Sequence, residues 1–197
     1  MSRQKARVYK MRPNAPRIVH SILHVITEAQ KRRVSVTQYD IVKTIFLADR
    51  KHLNRFGRPI TFDKYVAMKF GPVPSTVYDL LKEHRRTIEA LGLRELPWKR
   101  SRAPEISDTS FKYEQPAHAP SDEILSQSDV DELSAALTVV KSLGFHQIKK
   151  LTHEDQAYID AWEDESEHSQ FPMSYTLLFD VPNEEKAKEL SFISEHL

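Results

Sequence analysis

Few residues in this chain have types and spacings suited to chemistry. His20 and His24 stand four positions apart in a stretch of helical periodicity. Two imidazoles at that spacing can share a metal ion, but no acidic or histidine third ligand follows at a diagnostic distance, so ordinary helix histidines are the plainer reading. Thr152 to Asp155, "THED", brings acid and base types together, yet it reads fully as a helix cap. The four glycines, Gly57, Gly71, Gly92 and Gly144, are far apart, and none begins a strand-loop-helix phosphate cradle. There is no cysteine, which excludes disulfides, thiolate zinc sites and a cysteine nucleophile. No catalytic residue, metal site or cofactor is assigned from these motifs.

Asp49 is the residue that packing alone does not explain. It falls on the stripe Val42, Phe46, Asp49, Leu53, Phe56, which is otherwise apolar. A carboxylate there must be paired or hydrogen-bonded, since an uncompensated buried ion costs on the order of several kcal/mol. Arg58, the Tyr65 hydroxyl and main-chain N–H groups of the following turn are the expected partners, and His52 lies near the same face. Two readings stay open: an internal staple pinning a strand segment to the helix, or a recognition groove floored by Asp49, His52 and Arg58.

The elements that would position these residues follow from periodicity. Ile18, Ile22, Val25, Ile26 and Ala29 predict a first amphipathic helix over residues 15–33, with Pro16 in its first turn. A second runs from the capping box Thr37-x-x-Asp40 to Gly57. Val66, Met68 and Phe70 alternate against Tyr65, Ala67 and Lys69, predicting a short strand, paired with the segment around Pro59 to Phe62. Ser75 or Thr76 is expected to cap a third helix reaching about Leu91. Residues 93–127 read as loop, interrupted by one possible edge strand at "SFKYEQ", around 110–115. Helical signals resume at Ser126 or Ser128, each three residues ahead of an acid, and run to Gly144. Shorter helices are expected at His146 to Leu151 and after Thr152, with a last one from Asn183. The expected fold is mainly α, a compact helical domain with a small antiparallel β element around residues 58–74.

The chain of 197 residues suits one domain with appendages. Its 29 Lys and Arg against 28 Asp and Glu give a net charge of +1, which marks neither a general polyanion binder nor an acidic tail protein. The charge is uneven, however: residues 1–27 carry basic groups only, up to Arg17, and acids dominate from Glu154 onward. That asymmetry fits a frayed basic N-terminus, a contact with a partner or with nucleic acid, or an attraction between the two ends of the chain. Basic clusters at Lys31 to Arg33, Arg50 to Arg58, Lys82 to Arg86 and Trp98 to Arg102 are scattered and diluted by acids. No stretch has signal-peptide or membrane-spanning character, so a cytoplasmic protein without a membrane partner is expected.

The stretch "YDIVKTIFLADRKHLNRFGRPITFDKYVAMKFGPVPSTVYDLL" resembles the Panacea domain, also called the SocA-like antitoxin domain, of toxin-antitoxin pairs and phage-associated relatives. The matching elements are "ADRKHL", "GRPIT" with Asp63 and Tyr65, "AMKFGPVP", and the helix end Tyr78 to Leu81. Fainter echoes lie in "LSQSDVDELSAALTVVKSLG" and "KKLTHEDQAYIDA", so the resemblance spans roughly residues 15–165, between a basic flexible stretch 1–14 and a C-terminal extension 166–197. Phe62 stands where many members have glycine, and the proline-tryptophan pair that often follows the threonine-histidine is missing. Many members carry a DNA-binding domain ahead of this one, for which residues 1–14 leave no room.

The resemblance implies a non-enzymatic antitoxin, acting in toxin neutralisation or phage defence, that binds a cognate protein toxin encoded next to it. The alternatives are a proteolytic adaptor delivering the toxin to a protease and, from a different class, a nucleic-acid-binding transcriptional regulator. The motif residues expected to bind the partner are Asp49, Arg50, His52, Arg58, Asp63, Tyr65, Met68, Phe70, Gly71, Pro72, Val73, Pro74 and Tyr78. Pro72 and Pro74 push their neighbours toward extended backbone, and a rigid edge loses less entropy on binding. An edge strand at Lys64 to Phe70 would also be able to pair with a partner's strand.

Overall fold

The structure, a computed structural model, describes residues 5–114, 123–163 and 167–197. Gln115, at the end of the expected edge strand, and the boundary expected between residues 165 and 166 lie outside the described residues. The fold is mainly α with small antiparallel sheets. Helix α1 (Ala15–Lys31) starts at Asn14, whose side chain accepts from the Arg17 N–H, and Pro16 occupies its first turn. Helix α2 (Gln38–Phe56) carries the expected capping box, with Thr37 and Asp40 satisfying each other's backbone, and ends at Gly57 in the left-handed conformation. These are within-turn devices that need no tertiary partner.

Helix α2 is the axis of the molecule. Two apolar cores flank it: one built with α1 and later helices around Ile22, Ile45 and Leu137, the other around Phe46, Leu53, Tyr65 and Tyr175. As a result, every residue from Ile41 to Phe46 is buried. Phe56, expected on the apolar stripe, is instead half exposed at the helix end, where the Arg55 guanidinium and the His52 ring lie against it.

The β element corrects the expected pairing. Strand β1 (Tyr65–Met68) pairs with β2 (Gly71–Pro74), not with residues 59–62, in the register Val66 to Val73 and Met68 to Gly71. The Lys69–Phe70 turn closes through Gly71 at φ 98°, a left-handed position that suits glycine in such hairpins. Prolines lack the N–H that a ladder needs, so Gly71 and Val73 face β1 while Pro72 and Pro74 turn to the open edge. Tyr65 and Ala67, rather than Val66 and Met68, point into the second core.

Ser75 and Thr76 were expected to cap a helix reaching Leu91. Two helices form instead, α3 (Ser75–Leu81) and α4 (Arg85–Ala90), because Glu83 takes φ 58° and breaks the run. Neither Ser75 nor Thr76 caps α3, and Pro74 at its N-cap supplies no side chain. The Asp63 carboxylate does it from a distance, accepting from the Thr76 and Val77 N–H groups. Phe62 stands beside it at φ 54° yet is buried in the second core, so its side-chain burial opposes a backbone strain of about 1 kcal/mol or more.

Strands β3 (Lys99–Arg102) and β4 (Phe111–Glu114) form a separate hairpin, which places the expected "SFKYEQ" strand and converts the basic "WKRSR" stretch into its partner. Helix α5 (Gln127–His153) begins with a Ser126–Asp129 capping box and kinks at Gly144, φ 70° and ψ 179°. Thr152 lies in its last turn, bonded to the Ile148 carbonyl, so the cap of α6 (Gln156–Ala161) is Asp155 alone.

The chain beyond residue 166 joins the same architecture. Strand β5 (Gln170–Pro172) pairs with the other side of β1, giving the sheet order β2-β1-β5. Lys64 to Phe70 is therefore a central segment rather than an edge, and strand addition there is closed. A 3-10 turn (Tyr175–Leu177) and helix α7 (Glu184–Ser194), capped by Asn183, complete the chain. The basic residues 5–12 lie along this acidic region: Lys5 pairs with Glu163, the Ala6 N–H meets Asp160, Tyr9 donates to Glu184, and Met11 is buried. Among the described residues one ion pair, Lys5–Glu163, thus joins the basic N-terminal stretch to the acidic region.

Candidate functional site

The expected motif residues divide into two sets. Asp49 is fully buried and accepts from the Ile60 and Thr61 N–H groups at 2.7 and 3.1 Å, and from the Thr61 and Tyr65 hydroxyls. Burial raises its carboxyl above the usual range, and those four hydrogen bonds offset part of the rise. Arg58, one of the expected partners, does not reach it. Asp63 is likewise buried, and its main-chain carbonyl accepts from the Tyr175 hydroxyl at 2.6 Å. Together Asp49, Asp63 and Tyr65 fasten the turn at residues 60–63 to α2, to α3 and to the C-terminal stretch.

His52 belongs to a different network. Its Nδ1 meets the Arg58 carbonyl at 2.8 Å, and its Nε2 lies 3.1 Å from both Ser128 Oγ and Asp129 Oδ1. Burial lowers its pKa below the ordinary histidine value. Burial pushes Asp129 up, but the Ser126 hydrogen bonds and the guanidiniums of Arg17 and Arg58 outweigh it and hold the carboxyl low. In this Ser-His-Asp grouping Ser128 and Asp129 both approach Nε2, whereas a catalytic triad places the serine and the carboxylate on opposite ring nitrogens. Arg50 ties α2 to the rest of the chain through Asp155 at 2.7 Å and Asp180 at 2.9 Å. His24 is bonded to Ser134, and among the described residues no three His, Asp or Glu side chains converge as a metal site.

The second set lines the surface. Met68, Phe70, Val73 and Tyr78 help to form a groove of about 480 Å³ between the hairpin, the start of α2, β4 and the second half of α5. Aromatic side chains wall it: Phe145 stands 5.8 Å from Phe70 and 4.7 Å from Tyr39, centroid to centroid, and Phe111 closes another side. Phe70 and Phe145 are 49% and 42% exposed. A second hollow of about 450 Å³ shares Met68, Val73 and Tyr78 with the first, so the two adjoin on one face of the sheet.

Behind the groove, the hairpin is locked in place. Lys43, which sequence reasoning passed over, is buried with its Nζ donating to the Pro72 carbonyl at 2.8 Å, and burial lowers its pKa from 10.5 to about 7. A Cβ on Gly71 would stand 2.7 Å from Thr152 Oγ1 and 2.8 Å from Lys43 Nζ, so glycine is needed for close approach as well as for its φ. Gly71, Pro72 and Pro74 are therefore supports, while Met68, Phe70, Val73 and Tyr78 are the exposed or groove-lining members of the motif. Tyr39, Phe111 and Phe145 were also missed; they come from three separate elements, and no local signal links them.

Fold and surface together define a helical scaffold that braces an apolar groove on a stiff hairpin. The chain matches the family model described as antitoxin SocA-like, Panacea domain, over residues 41–159, and it belongs to that family. The matched span contains Lys43, the Asp49 and Asp63 staples, the hairpin and Phe145. No curated protein and no solved structure matches the chain.

Proposed function

We propose that this protein is an antitoxin that neutralises a cognate protein toxin by direct binding, with the hairpin groove as the contact surface. The toxin is encoded by the neighbouring gene and both act in the cytoplasm. The observation that carries the reading is the overlap of family motif and groove: "AMKFGPVP" forms the hairpin whose Met68, Phe70 and Val73 line the hollow. An exposed aromatic cluster on a rigid support is what a protein interface needs, since little entropy is lost on docking. Among the described residues no helix is long and apolar enough to cross a membrane.

The regulator reading has less support, because many basic residues are already paired. Arg50, Arg55, Arg85 and Arg100 meet Asp155, Glu132, Glu89 and Glu83, respectively. Phosphate contacts would have to break such pairs. Co-expression with the neighbouring gene tests the proposal. Restored growth and a complex that survives purification are expected, with unchanged toxin half-life; a shortened half-life would favour the proteolytic adaptor, and neither rescue nor complex would overturn both.

A further inference from the structure

We propose that the occupant of this groove is a short acidic, amphipathic segment, presenting one aromatic or branched aliphatic side chain flanked by Asp or Glu. This rests on the reading of the hairpin face as a partner-binding surface, and it adds the partner's chemistry.

The walls specify the apolar anchor. Tyr39, Phe70, Phe111 and Phe145 present ring faces and edges around a space large enough for one or two large side chains. The rim specifies the flanks. Lys69 belongs to the groove, Lys149 lies 5.6 Å from the centre of the Phe70 ring, and Lys10 and Lys64 line the adjoining hollow. Among the described residues, the one carboxylate lining either hollow is Asp79, which accepts from the Thr87 hydroxyl at 3.0 Å. Lysines in ion pairs among the described residues are Lys5, Lys31, Lys112, Lys141 and Lys186, none of which lines the face. An apolar groove with Lys69 and Lys149 beside its Phe70 wall, and with Lys10 and Lys64 in the hollow next to it, attracts apolar groups bracketed by carboxylates and repels basic segments. A single strand of nucleic acid also combines flat rings with negative charge. Its backbone, however, needs a continuous basic track, and among the described residues the basic side chains lining the groove are Lys69 and the buried Lys43 alone.

The test is selection of a displayed random peptide library on the full chain, followed by fluorescence anisotropy with the enriched peptides. Enrichment of Phe, Trp, Leu or Ile next to two or more acidic residues is expected. Affinity should fall about tenfold or more in Phe70→Ser and Phe145→Ser, the loss of one well-placed anchor. It should fall also in Lys69→Glu/Lys149→Glu. Both phenylalanines are about half exposed, so these variants should keep the wild-type Tm. No enrichment, a basic consensus, undiminished binding by the variants, or displacement of the peptide by a single-stranded oligonucleotide would overturn the proposal. Failure of the antitoxin reading looks different: the peptides would bind as described while the neighbouring gene's product is not neutralised.

Discussion

Lys43 Nζ and the Pro72 carbonyl oxygen lie 2.8 Å apart inside the protein, joining the first half of α2 to the outer strand of the hairpin. The prolines make this possible, because an edge residue turned away from the ladder leaves its carbonyl free for a side-chain donor. A neutral amine still donates that bond, more weakly than a charged one but at lower desolvation cost.

Stability should therefore depend on pH through Lys43. The folded-state pKa is about 7 and the ordinary value is 10.5. Below the lower value both states are protonated and the cost of burying the charge is fully present. Between the two the unfolded chain holds a proton that the folded chain does not, so stability rises with pH. Lys43→Met removes this component. Urea unfolding at about pH 7 and about pH 9.5 should show wild type gaining about 1 kcal/mol or more relative to the variant. Parallel profiles would count against a buried amine.

Asp49→Ala strands two main-chain N–H groups and two hydroxyls in the core, and should cost about 3 kcal/mol or more. Thermal denaturation measures the loss. Because Asp49 has no exposed surface, partner affinity of the fraction that remains folded should be unchanged. A variant of normal Tm with lost affinity would make Asp49 a contact residue instead.

Gly71→Ala should destabilise by about 2 kcal/mol or more, from a left-handed backbone and a Cβ forced against Thr152 and Lys43. Combining it with Thr152→Ala should recover only part of the loss in chemical denaturation, since the backbone strain remains. Full recovery would assign the whole effect to crowding.

Local devices were legible in the sequence. The capping boxes at Thr37 and Ser126 and the stops at Gly57 and Gly144 act within a turn or two of chain, so spacing alone exposes them. Asp49 was legible as an anomaly on an apolar stripe. The cap of α3 was not, because it comes from Asp63, twelve residues ahead of Ser75, nor was β5, which meets β1 across about a hundred residues of chain. Lys43 escaped notice because an amphipathic reading assigns α2 one buried face, whereas cores on both sides bury it nearly all round. The groove was legible only in its hairpin half; Tyr39, Phe111 and Phe145 meet it through tertiary packing.

The central claim is that the hairpin groove holds the toxin. Its most direct test is co-purification and growth rescue with the neighbouring gene's product, comparing wild type with Phe70→Ser/Phe145→Ser at matched expression and Tm. Wild type should restore growth and retain the partner, and the double variant should lose both. A double variant that rescues and co-purifies like wild type would contradict the claim.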